Sequence, residues 1–156
     1  MFLKLDGIDG ESRDAKHKGE IEIESFSWGA SHPVASGGGA GGAAGKVSLQ
    51  DFSFTTPVSK ASPKLFLACA SGQHIKSALL TVRRAGGQQQ DFLKVTMSDV
   101  RVSNWTQHGG AEPAVPQDQV SINFSKVQIA YTGQSPTGGP GETVTAGWDA
   151  KGNTKV

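Results

Sequence analysis

The sequence is poor in what usually marks a disulfide scaffold, a nucleic-acid binder or a membrane protein. It has 1 cysteine in 156 residues. Cys69 alone can make no intramolecular disulfide, so the fold must be held by its core. Its neighbours Leu65, Phe66, Leu67 and Ala68 are apolar, which predicts a small buried side chain and a poor setting for a thiolate nucleophile. Lys+Arg total 15 against Asp+Glu 14, a formal net charge of +1. No basic run offers a hold to nucleic acid or an anionic membrane. Lys16, His17 and Lys18 form a short cluster between acidic residues and read as a solvated loop. No stretch approaches the roughly 20 apolar residues that span a bilayer. Met1–Leu5 is interrupted by Lys4 and followed by acids, unlike a cleaved leader. The expectation is a protein made in the cytoplasm that inserts in no membrane and, if exported, leaves without a cleaved signal peptide.

Catalytic and cofactor signatures are equally sparse. Gly45-Lys46 resembles the end of a phosphate-binding loop, but that motif needs Gly where Ala40 stands and Ser or Thr where Val47 stands. Asp6, Asp9, Glu11 and Asp14 could supply oxygen ligands, yet they lack the alternate-position spacing of a calcium loop. Glu11 and Asp14 beside Arg13 and Lys16 read instead as a solvated, partly paired turn. His17, His32, His74 and His108 have no neighbour at zinc-ligand spacing, and no Gly-x-Ser-x-Gly elbow supports a triad. Trp28, Trp105 and Trp148 are scattered, and packing is a commoner fate for Trp than a stacking platform. These absences predict no enzyme, no cofactor and no metal.

What is present is period-two alternation. Ile21 and Ile23 alternate with Glu20, Glu22 and Glu24, as in a half-buried strand. The phase then changes: Phe26 and Trp28 fall in the register of the glutamates, and Ser25 and Ser27 in that of the isoleucines. Either a bulge intervenes or another subunit covers the outer face. The same shift separates Val120, Ile122 and Phe124 from Val127, Ile129 and Tyr131, with Ser125 and Lys126 at the break. Further strands are expected at Met1–Leu5, Lys46–Phe54, Ala78–Arg84, Asp91–Val102 and Thr143–Trp148, with Ala85-Gly86-Gly87-Gln88 as a hairpin connection. One short helix is expected at about Pro63–Ser71, with Ser62 as its N-cap, Pro63 in its first turn, Leu65, Ala68 and Cys69 on one face, and Gly72 as its stop. The predicted fold is mainly β, a compact β-barrel-like arrangement or two-sheet sandwich with one flanking helix. It reads as a single domain, 1–156, with a flexible Gly-rich loop over 31–45, a Pro/Gly linker over 133–141 and a final strand and tail over 142–156.

Several segments in order resemble the Hcp family, the haemolysin-coregulated proteins of type VI secretion. These are "MFLKLDGIDGESRDAKHKGEIEIESFSWG", the Gly-rich loop with "GKVSLQDFSFTTPVSKASPKLFLACASGQHI", "ALLTVRRAGG", "VSINFSKVQIAY" and "AGWDAKGNTKV". The resemblance implies a structural subunit that forms hexameric rings. The rings stack into the inner tube of a contractile injector, meet a tip (spike) protein and a sheath, and carry or protect effectors in the lumen. On that footing Phe26, Trp28, Ser31, His32, Ser36 and Gly45 are expected at subunit interfaces, and Ser25 and Ser27 are expected to face the lumen and its cargo. The rival reading is a non-catalytic β-sandwich ligand-binding module, for carbohydrate as an example, with an aromatic-lined groove.

Overall fold

Alternating apolar residues bury one face of the longer barrel strands, and these strands solve the edge problem by closing on themselves. A computed structural model describes residues 1–33, 45–86, 89–112 and 115–156. The strands are β1 (Phe2–Leu5), β2 (Ile21–Glu22), β3 (Ser25–Ser27), β4 (Ala30–Ser31), β5 (Ser48–Leu49) and β6 (Phe52–Pro57). After the helix α1 (Ala61–Ser71) come β7 (His74–Arg83), β8 (Asp91–His108), β9 (Gln117–Asn123), β10 (Lys126–Gln134), β11 (Pro140–Asp149) and β12 (Thr154–Lys155). All pairings are antiparallel: β1 pairs with β2 and β7, β7 with β8, β8 with β9, β9 with β6, and β6 with β3. Because β2 and β3 are consecutive pieces of one segment, this circuit is a barrel. The Glu24 N–H, which donates to the Thr55 carbonyl at 2.9 Å, carries the segment from one partner to the next.

From the barrel, β10, β11 and β12 extend outward along the first half of β8, while β4 and β5 form a separate two-stranded sheet. The 18-residue β8 therefore belongs to both parts. Residues 93–98 pair with β10, and residues 101–108 pair with β9. Asp99, with φ of 55°, sits where it changes partner, and a register shift follows between Val102 and Asn104. Such irregularities let a strand bend between sheets.

The barrel interior holds Leu3, Leu5, Ile21, Phe52, Phe54, Leu80, Val95, Met97, Val100, Val120 and Ile122. Into the same core α1 sets a ridge of Ala61, Leu65 and Ala68. The helix starts earlier than the sequence predicts. Ser62 is not its N-cap: it is buried within the first turn, where its hydroxyl accepts the Ser59 N–H at 3.0 Å, while the Ser59 hydroxyl accepts the Ala61 N–H at 3.2 Å. Gly72 ends the helix as expected, with φ of 64° and ψ of 29°, a left-handed conformation that glycine adopts without penalty. Cys69 is half-buried against the core rather than enclosed by it.

Other boundaries differ for traceable reasons. The expected strand Lys46–Phe54 is two, because Gln50 turns aside to donate its N–H to the Gly29 carbonyl at 2.8 Å. The expected linker over 133–141 is a tight hairpin turn with strand at both ends: Gln134 pairs with Pro140, and the Ser135 N–H meets the Gly139 carbonyl at 2.8 Å. In the expected connection after β7, residues 87 and 88 lie outside the described residues, as does most of the expected flexible loop, over 34–44.

Candidate functional site

The phase shift after Ile23 has a simple structural meaning. Glu24 and Ser25 are both exposed, so the face that points inward changes between β2 and β3. Phe26 then stacks on the buried Phe52 at 5.7 Å between ring centroids, and Trp28 meets the edge of Phe124 at 6.1 Å. Both are half-buried against their own barrel, so each aromatic is only partly turned outward.

Ser25 and Ser27 are left on the outer face, and the register gives each a row of neighbours. Ser27 lies opposite Ser53, Ser53 opposite Ser121, and Ser121 opposite Asn104. Ser25 lies opposite Thr55, Thr55 opposite Gln119, and Gln119 opposite Thr106. Two parallel rows of uncharged hydrogen-bonding side chains thus cross four strands. The Ser25 and Thr55 hydroxyls are 2.6 Å apart, and those of Ser53 and Ser121 are 2.8 Å apart. At the rim, Asp51 accepts from the Ser103 hydroxyl at 2.6 Å and from the Asn123 amide at 2.9 Å. Such a surface presents many weak donors and acceptors and little net charge, so it can wet and hold a polar macromolecule without trapping it through ion pairs.

A second feature is an open edge. Within the barrel β1, β6, β7 and β9 are each paired on both sides, but among the described residues the outer side of β11 meets only β12, at Trp148 and Asp149. From Glu142 to Ala146 all residues are exposed, Val144 at 61%. Across the hairpin, Tyr131 opposite Val144 is also exposed. An unpaired, β-branched edge with both faces in solvent is a template for another strand or another subunit.

Of the other predicted interface residues, Ser31 sits exposed on β4 opposite Ser48. His32 and Gly45 come together in a groove of about 310 Å³ with Val47, Trp148 and Asn153. Trp148 has its indole N–H buried there with no hydrogen-bond partner among the described residues. Ser36 lies outside the described residues. Trp28, Trp105 and Trp148 do not share a groove: Trp28 packs on Phe124 and Trp105 under Phe66, while Trp148 pairs with Val127 at the base of the outer hairpin.

The sequence reading missed the charged groups that lock the loops. His17 is buried at 6% exposure, against the solvated loop expected there. Asp14 is not merely part of a local turn: it pairs with Arg83 at 2.6 Å, and this guanidinium, helped by the Lys16 N–H, holds its carboxyl below the usual range. Burial pushes Asp91 up, but hydrogen bonds from Arg83 and His17 outweigh it and the net direction is down. Asp99 is lowered by the Ser125 hydroxyl first, with His74 and Lys151 adding to it. Among the described residues no group of three or more His, Cys, Asp or Glu is placed to hold a metal ion, and no helix is long and apolar enough to cross a membrane.

Comparison with known proteins agrees over nearly the whole chain. The family model described as "Type VI secretion system effector, Hcp" matches residues 2–131. Protein hcp1 of Pseudomonas aeruginosa is 39% identical over 158 aligned positions, covering 100% of this chain and 98% of that protein. The crystal structure of Hcp1 from Salmonella typhimurium superposes with a TM-score of 0.82 at 38% identity, covering 99% and 96% of the two chains. A solved type six secretion system protein reaches a TM-score of 0.93 at 30% identity, covering 99% and 98%. A barrel with one inserted helix and an outward hairpin, matched in sequence and in structure along its length, belongs to the Hcp family of the type VI secretion system.

Proposed function

We propose that this chain is the structural subunit of a type VI secretion inner tube. Copies close into a hexameric ring, rings stack into the tube, and effectors are held in the lumen during export. The observation that carries this reading is the pair of uncharged polar rows, Ser27–Ser53–Ser121–Asn104 and Ser25–Thr55–Gln119–Thr106. A lumen wall must hydrate and hold diverse cargo, then release it, and hydroxyls and amides do this where a charged wall would select by sign. Ser25 and Ser27 are the cargo-facing members of those rows.

Ring closure needs a patch on one subunit that meets a different patch on the next. The open edge of β11 supplies one side. Phe26, Trp28, Ser31, His32 and Gly45 belong to the other, using the parts of Phe26 and Trp28 that their own barrel leaves uncovered. A tip protein at the end of the tube and a contractile sheath around it are the remaining partners. Export through this apparatus requires no cleaved signal peptide, and the subunit itself performs no catalysis.

Negative-stain electron microscopy with size-exclusion chromatography tests the assembly. Wild-type protein is expected as rings, and Val144→Lys as a folded species of monomer size, because an exposed edge residue can change without disturbing the core. Wild-type particles that remain monomeric would overturn the ring. Undiminished rings in Val144→Lys would remove β11 from the interface. The carbohydrate-module reading needs a shared aromatic groove, which the separate packing of the three tryptophans does not favour.

A further inference from the structure

The loop between β1 and β2 is pinned across the barrel by one histidine with an unusual set of neighbours. His17 stacks on Phe2 at 4.4 Å between ring centroids and 6° between planes. Its Nδ1 lies 2.9 Å from a Glu20 carboxylate oxygen and its Nε2 lies 3.3 Å from a carboxylate oxygen of Asp91 on β8. Arg83 on β7 joins the same cluster, bonding Asp91 through Nε at 3.1 Å and Asp14 of the loop through Nη1 at 2.6 Å. Its guanidinium carbon lies over the Phe2 ring at 5.3 Å.

Neutral imidazole has one N–H and one lone pair, whereas imidazolium has two donors. With a carboxylate at each nitrogen, a neutral ring would aim its lone pair at an anion. Only the doubly protonated ring donates on both sides. The charges point the same way. The groups facing His17 are Asp14 and Glu20 from its own loop, Arg83 from β7, Asp91 from β8 and the uncharged Phe2 ring from β1, so three carboxylates meet one guanidinium. A proton on His17 offsets part of that excess in a site with little water to screen it. We infer that the loop over residues 10–20 is held on the β7–β8 pair by a proton-dependent latch, closed when His17 carries both ring protons and loosened when it loses one.

The sign is that of a cationic group that gains partners on folding. The contribution is present while both ring nitrogens carry protons and is lost when one proton leaves. It also fails at strongly acidic pH, where Asp91 and Asp14 take up protons. The latch controls the backbone of the loop, which is tied by Gly10 N–H to Gly19 O at 2.8 Å, Ser12 N–H to Glu20 O at 3.0 Å and Gly19 N–H to Ser12 O at 2.8 Å.

Amide hydrogen exchange of the whole protein reads the latch directly. Protection factors at Ser12 and Gly19, corrected for intrinsic exchange, are compared at about pH 5.5 and about pH 8.5, on either side of the ordinary histidine range. Wild-type protection is expected to fall by roughly tenfold or more, the scale of losing one hydrogen bond to a charged group. His17→Gln should be low and flat with pH. Ring nitrogen shifts of His17 in the wild type give a second reading that needs no variant: imidazole titration and loss of protection should share one midpoint. Protection that does not change with pH, or that changes equally in His17→Gln, would overturn the latch, as would a His17 ring that titrates with no change in the loop.

Discussion

Leu65→Ala tests whether α1 is part of the barrel core or an ornament on it. The helix meets the protein through four buried residues, Ala61, Ser62, Leu65 and Ala68, of which Leu65 is the only large one and is 0% exposed. Truncating it removes the transfer energy of the lost carbons and leaves a cavity that the stiff barrel cannot fill, a cost of about 2–5 kcal/mol. Near the middle of that range, about 3 kcal/mol, the melting temperature of a domain this size drops by about 6–12 °C. Phe66 is the matched control. It is larger but 53% exposed, and it touches Trp105 edge-on at 5.3 Å. Phe66→Ala should cost about 1 kcal/mol or less, the usual scale for an exposed position. Thermal unfolding followed by circular dichroism separates the two, provided that both variants are run at one protein concentration, because assembly raises apparent stability by mass action. Equal shifts for the two variants, or a larger one for Phe66→Ala, would refute the placement of the helix.

Acid stability and cargo contact follow from other features. Asp14, Asp91, Asp99 and Asp149 are all held below the ordinary carboxylate range. Their contribution is therefore complete above about pH 4 and is lost as pH falls through the lowered values. The urea midpoint should drop as pH falls below about 4, with a shallower drop in Asp99→Asn, whose amide tolerates the positive φ of that position. In Ser27→Gln the longer side chain stands on the outer face and leaves the core untouched. Rings should persist while co-purification of an effector falls, and unchanged effector recovery with intact rings would remove Ser27 from the cargo wall.

Alternation made the barrel strands legible, since one face of each is buried and the period is two. Partner exchange was not legible. The phase change at Ser25 announced a bend, but nothing local says that β2 goes with β1 while β3 goes with β6. Ser-Phe-Ser in β3 and Ser-Phe-Thr in β6 carry the same small-polar alternation, and that shared pattern was the available sign of the outer rows. The His17 latch left no such mark. Its partners Arg83 and Asp91 are distant in sequence and become neighbours only through the pairing of β1 with β7 and β7 with β8. The helix start was misplaced because Ser62 looks like a cap, although the Ser59 and Ser62 hydroxyls share the work of the first turn from inside it.

The closed circuit also sets a timetable for a chain made from one end. β1 is produced early but has to wait for β7, more than seventy residues later, before its outer side is paired. The circuit closes only when β9 seats between β6 and β8. Such distant pairings cost loop-closure entropy and slow the search. The outer hairpin emerges after all of them. The open edge of β11 is therefore the last large surface to form, on a barrel already complete, and unfinished chains have no such edge through which to associate.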